Sequence, residues 1–186
     1  SLKLTLHTSS YTPSLDSDIF VSALTNELST AGGYTSGGVT LTSPTVTYTA
    51  ADSWGTSRAN STAYTVGQIV RPATGNGFLY RCSAQTGASG GTIPTYSTVL
   101  GGNTTDGNVT WDTVGSGIIV LDAADASWST ATFTGVRYGV ISDRTPGTAA
   151  TQPLLGLIDF GSDQAGGGGA FAVVWDAQGI LQLLIP

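Results

Sequence analysis

The chain has 186 residues, 40% of them hydrophobic and 10% charged, with a formal net charge of −6; this suffices for one ordinary domain plus a small one with a real core. Its six basic residues, Lys3, Arg58, Arg71, Arg81, Arg137 and Arg144, are scattered, so no basic stripe meets a phosphate backbone and no direct nucleic-acid binding is expected. No apolar run approaches the roughly 20 residues of a membrane-spanning helix, and no charged segment followed by an apolar one opens the chain; a soluble protein with no membrane partner and no signal-peptide export is expected.

In chain order, Leu2 to His7 alternates apolar and polar residues and predicts a half-buried strand with Lys3, Thr5 and His7 on the wetter face. Asp16 to Leu28 carries the only helical pattern. Ile19, Phe20, Ala23, Leu24 and Leu28 form its stripe, Ser14 or Asp16 its cap and Gly32-Gly33 its end. Val39 to Thr42 and Thr45 to Tyr48 are β-branched runs at period two, hence two further strands. A turn-rich stretch from Ala50 to Thr62 follows.

Tyr64, Val66, Ile69 and Val70, then Gly75-Asn76-Gly77, then Phe78, Leu79 and Tyr80 give a hairpin signal. After the turn dipeptide Asp106-Gly107, Val109 to Trp111 adds a third short strand. Residues 57–115 therefore read as a small β module inserted into a main domain made of residues 1–56 and 116–186. Beyond it, strands are predicted at Gly117 to Asp122, Ala131 to Ile141, Leu154 to Phe160, Ala170 to Trp175 and Ile180 to Ile185, with a loop at Asp125 to Trp128. Twenty-six glycines and seven prolines agree with many tight turns. The fold class is all-β: a β-sandwich or jelly-roll-like main domain with one short helix and the inserted module. Leu154 to Ile158 and Leu181 to Ile185 do not alternate cleanly, which implies strands covered on both faces, by the second sheet and by a neighbouring subunit.

No side-chain set points to catalysis. His7 stands alone, without a G-x-S-x-G motif or a Cys/His constellation. The pairs Asp122/Asp125 and Asp159/Asp163 follow strands into small-residue loops, where Asp caps turns. Asp16 and Asp18 are read as helix capping, and no metal or cofactor is expected. Cys82, the single cysteine, excludes an intrachain disulfide and reads as a small core residue. The Gly166 to Gly169 tract lacks a phosphate-loop context and reads as a flexible hairpin loop. Trp54, Tyr64, Tyr80, Tyr96 and Trp111 are the candidate binding residues, since aromatic faces stack on sugar rings; the same residues could equally form the module's core.

The spacing Y-x-x-G-x-x-V from Tyr64 to Val70, followed by G-x-x-Y ending at Tyr80, resembles small chitin-binding modules and related modules within tailed-phage virion proteins. The tryptophans that chitin-binding relatives carry after the second strand are replaced by Cys82-Ser83-Ala84-Gln85. The flanks, from Leu6 to Pro13, Asn26 to Leu41, Phe133 to Ile141, Leu157 to Gln164 and Trp175 to Leu181, resemble small structural proteins of tailed bacteriophages. That resemblance implies a non-enzymatic virion protein, first of the capsid decoration or cement type. It would sit on the outer capsid surface after assembly in the host cytoplasm, partnered by the major capsid protein and by copies of itself, with the module outward. The alternative it implies is a tail or baseplate adhesin whose module binds a host-surface glycan.

Overall fold

The computed structural model describes Ser1–Pro186 and is nearly all β, with several antiparallel sheets. The chain divides into two compact units, Ser1–Thr45 with Asp122–Ile180, and Val46–Leu121 with Leu181–Pro186.

In the first unit, β1 (Leu2–Thr8), β2 (Val39–Thr40), β10 (Val136–Asp143) and β11 (Leu154–Gln164) form a sheet ordered β11-β10-β1-β2. Leu4 pairs with Ile141, and Leu6 with Gly139. A two-stranded ribbon joins β9 (Ala126–Trp128) to β12 (Phe171–Val173), with Phe171 opposite Trp128. The core takes Leu4, Leu6, Val136 and Ile141 from the sheet and Ala126, Trp128 and Val173 from the ribbon, with Tyr34 and Phe133 from the connections. Its aromatic rings meet edge-on or tilted, Phe133 lying 5.2 Å from Phe171 and 6.1 Å from Trp128, the arrangement favoured by the ring quadrupole.

Five expectations fail here for physical reasons. The helix over Asp16 to Leu28 does not form. Asp18 closes a turn instead, accepting from the Tyr11 hydroxyl at 2.8 Å and the Ser14 N–H at 3.0 Å. Phe20 then bridges Pro153, Val21–Ala23 makes one 3-10 turn, and the backbone of Asn26 to Leu28 bonds to Leu6 and Thr8 of β1. A segment this short is marginal as a helix unless its stripe is buried, and here Ile19 and Phe20 are exposed while β1 takes the Asn26 carbonyl and the Leu28 N–H. β1 likewise has no wet face beyond Lys3: Thr5 and His7 are fully buried, bonded to each other, with the His7 ring against the Thr25 carbonyl and 5.2 Å from the Tyr11 ring. The loop predicted at Asp125 to Trp128 is the strand β9, too short for periodicity to mark. The strand predicted over Ala131 to Ile141 begins only at Val136. The glycine tract is likewise not a free loop, since Gly166 and Gly168 donate to Phe133 and Ala131.

The second unit has two sheets. β4 (Ile69–Val70), β5 (Leu79–Gln85), β6 (Asn103–Asp106) and β7 (Val109–Gly115) are ordered β4-β5-β7-β6, and β3 (Thr45–Ala50), β8 (Gly117–Asp122) and β13 (Leu181–Ile185) are ordered β13-β8-β3. The predicted hairpin and the predicted turn are both used: Val70 pairs with Tyr80, and Asp106 with Val109 around Gly107 at φ 63°. The four-stranded sheet is apolar on both faces. Val70, Tyr80, Cys82, Val109 and Trp111 enclose one cluster, while Leu79, Ile69 and Val114 meet Ala51, Ile118, Val120 and Leu184 in another. This second cluster explains why the unit is larger than residues 57–115: the module's sheet closes over β8 and β13, so those strands fold with it.

Gly33 turns the chain into Tyr34 at φ 87°, and any Cβ there would overlap the Thr130 carbonyl oxygen. Gly33→Ala is expected to lose roughly 1–3 kcal/mol from backbone strain alone, read as a lower denaturation midpoint of the first unit followed through Trp128 fluorescence; an unchanged midpoint would contradict this packing.

Candidate functional site

The residues predicted to bind sugar are mostly interior. Tyr64, Tyr80 and Trp111 are buried, while Tyr96 and Trp54 are partly so. Tyr64 meets Trp111 edge-on at 4.8 Å, and Tyr80 lies 4.2 Å from Tyr96. The structure thus gathers four of the five into one cluster, but as core, their faces spent on each other; Trp54 belongs to the cluster on the opposite side of the sheet. No open aromatic platform results.

What fixes this cluster is a pair that sequence reasoning did not single out. Arg58 and Asp106 form a fully enclosed ion pair. Asp106 accepts from Arg58 Nε at 2.9 Å and Nη2 at 2.6 Å, from Trp111 Nε1 at 2.9 Å and from the Gly90 N–H at 2.9 Å. Arg58 also donates to the carbonyls of Gly90 and Thr92 and to Asn60 Oδ1. Burial works against the guanidinium's charge, but the hydrogen bonds and attraction of Asp106 outweigh it and hold its pKa above the ordinary value. Such a geometry serves structure, because every charged atom already has a partner.

The remaining candidates are also engaged. His7 is buried with Nδ1 2.8 Å from Thr25 O and Nε2 2.9 Å from Thr5 Oγ1. Asp122 accepts from the Ala123 N–H, Asp125 from the Trp175 N–H, and Asp159 from Gly161 and Arg137. Cys82 is buried, which raises its thiol pKa.

An exposed apolar surface lies instead on the outer face of β13-β8-β3. Leu181 pairs with Leu121, Leu183 with Ile119, and Ile185 with Gly117, so these residues share one face, opposite to Ile118, Val120 and Leu184 of the core. Tyr48 of β3 lies over Gly117, where a Cβ would come within 2.6 Å of its ring, which places Tyr48, and Val46 two residues earlier, on this same face. Val46 is 72% exposed, Tyr48 58%, Leu183 55% and Leu181 43%. Seven residues, Val46, Tyr48, Ile119, Leu121, Leu181, Leu183 and Ile185, thus make a contiguous face without a formal charge, the kind of patch that marks a protein contact. A smaller apolar hollow of about 180 Å³ lies in the first unit between Leu15 and Leu154–Leu157.

No family model matches the chain, and no curated protein or solved structure matches it either.

Two outcomes follow from these geometries. Asp106→Ala leaves Arg58 buried without its counter-charge and is expected to cost about 3–5 kcal/mol, measured by urea unfolding followed at Trp111; the pair Arg58→Met with Asp106→Leu should recover part of that loss. Burial, offset in part by the Thr25 hydrogen bond and by Glu27, holds the His7 imidazole below its ordinary value of 6.5. The unfolded chain therefore takes up this proton first as pH falls, and stability declines from about pH 6.5 downward until the folded pKa is passed. His7→Gln should flatten the fall in melting temperature between pH 7 and 5, and an unaltered slope would assign it to other groups.

Proposed function

We propose that this chain is a non-enzymatic structural protein of a tailed-phage virion, of the capsid decoration type, seated on the outer surface of the shell formed by the major capsid protein. The apolar face of β13-β8-β3 carries this reading. Leu183, Leu181, Val46 and Tyr48 expose to water side chains that a freely diffusing protein has no reason to align, whereas a subunit docked on a broad protein surface buries them, gaining about 25 cal/mol per Å² before association costs. The setting comes from the sequence motifs, which resemble tailed-phage structural proteins.

The module's sheet packs on the other face of β8 and β13, so a shell bound at the apolar face leaves the module pointing away from it. With Tyr64, Tyr80 and Trp111 enclosed, the adhesin reading has no aromatic platform in its favour. Many copies, each contributing a modest contact, would stabilise the head.

The test is cosedimentation of the purified chain with bare capsids, with electron cryo-microscopy of the product. Density at regular shell positions is expected, and Leu183→Asp, which sets a charge inside the contact, should weaken binding at least about tenfold while leaving the circular dichroism spectrum unchanged. Full binding by that variant, or density confined to a tail, would overturn the reading.

A further inference from the structure

We infer that the β3 edge is a self-pairing strand: two copies of the chain join antiparallel through Val46 to Tyr48, about a two-fold axis normal to the sheet at Thr47. The inference deepens the assembly reading above, and rests on it for its setting, by naming a second copy of the chain as the occupant of this edge.

β3 ends its sheet. The Ala51 N–H donates to Ser116 O at 2.9 Å, and the Thr49 carbonyl lies beside Gly117, so the odd-numbered residues turn their backbone groups inward to β8. Alternation then leaves the N–H and C=O of Val46 and Tyr48 on the open side. An open edge is ordinarily blocked by a charge, a proline, a bulge or extreme shortness. Several other edges of the protein use these devices, although β13, the far edge of the same sheet, is also uncharged. β11 carries Asp159 and Asp163 and shifts register twice; β2 and β4 are two residues long; β6 is half buried. β3 has six residues, Thr-Val-Thr-Tyr-Thr-Ala, with no charge from Ser43 to Ala51 and its only nearby proline, Pro44, ahead of the strand. In a chain of net charge −6, this seam lets two copies meet without opposing charges.

The sequence is also self-complementary about Thr47. A two-fold axis normal to the sheet keeps apolar faces on the same side, so only registers pairing even with even residues are allowed. With Thr47 on the axis, Val46 faces Tyr48 of the second copy on both sides, a β-branched and aromatic pair of the favourable kind. Thr45 faces the second copy's Thr49. The outward backbone groups of Val46 and Tyr48 then exchange four hydrogen bonds. The product is one sheet, β13-β8-β3 continued into its symmetry mate, whose apolar face is doubled in width. That wider face is what the shell contact would use.

The axis also supplies a sharp test. Thr47 meets its mate in a non-hydrogen-bonded pair, where the Cα atoms come within about 4.5 Å, inside the span of a disulfide. Thr47 is exposed, and the native Cys82 is buried, so Thr47→Cys presents one accessible thiol. Mild oxidation of the purified variant, read on a non-reducing gel, is expected to give covalent dimer at a yield about tenfold above that of Thr98→Cys, an exposed control site away from the edge. Adding Val46→Lys should bring the yield down to the control. Equal yields at both sites, or trapping indifferent to Val46→Lys, would overturn the inference; so would a head-to-tail contact, which leaves the two Thr47 positions apart. Because no shell is present, this result is independent of cosedimentation. Failure of trapping with intact shell binding refutes β3 pairing alone, and trapping with no shell binding refutes the decoration reading alone.

Discussion

The buried pair of Arg58 and Asp106 is the interaction from which the geometry of the second unit follows. One carboxylate accepts from a guanidinium, an indole and a backbone amide at once, so it fixes the loop at Gly90, the start of the β6 to β7 hairpin and the ring of Trp111 together. Trp111 in turn sets Tyr64, and these rings close one face of the module's sheet. Its other face is then committed to Leu79, Ile69 and Val114, which receive Ile118 and Leu184. Once those side chains point inward, alternation leaves Ile119, Leu121, Leu181 and Leu183 no choice but the outer face. The apolar surface is therefore a geometric consequence of a core organised around one desolvated charge pair. A pair of this kind gives little net stability relative to an apolar replacement, but in a loop-rich region it specifies one arrangement of carbonyls and amides where hydrophobic contact alone would accept several.

The two faces of β8 show why its sequence lacks a period. Ile118 and Val120 fill the core, while Ile119 and Leu121 fill a surface that stays apolar. A strand with one wet face alternates, and a strand with apolar residues on both faces does not. The run from Leu181 to Ile185 obeys the same rule. Leu154 to Phe160 departs from it differently: β11 is an edge strand whose residues are only partly covered, and its residues beside β10 are relieved by register shifts.

Strand positions were legible wherever period two, a turn dipeptide or an unbroken β-branched run marked them, as at Thr45 to Tyr48, at Asp106-Gly107 and at Gly117 to Asp122 respectively. The helix at Asp16 to Leu28 was misread because five apolar residues fell at helical spacing by coincidence, and nothing local reveals that β1 takes the backbone of Asn26 to Leu28. The burial of Thr5 and His7 was hidden for the same reason: a polar residue on a strand looks solvent-facing until a distant segment covers it. The insert's aromatics were found as a group, but sequence does not distinguish a stacking platform from a core. Arg58 and Asp106, 48 positions apart, carry no spacing signal at all. The turn reading of Asp106-Gly107 was correct and concealed the carboxylate's second role.

The uncharged edge and the apolar face raise a question of solubility that the chain's charge distribution answers. All its formal charge lies outside Ser43 to Ala51, and a net charge of −6 produces repulsion between approaching copies that acts over about 8–10 Å at physiological salt and is screened beyond it. Copies held side by side on a surface experience a far higher effective concentration, and a contact that is transient in solution, where oxidation still traps it, then becomes persistent. An edge blocked by lysine would remove both the hazard and the contact. Leaving β3 open while keeping it threonine-rich holds its self-affinity low, because three threonines contribute little apolar burial, and confines its specificity to the two residues, Val46 and Tyr48, that also belong to the apolar face. On the assembly reading, face and edge are thus coupled: docking the face aligns the edge, and pairing the edge widens the face.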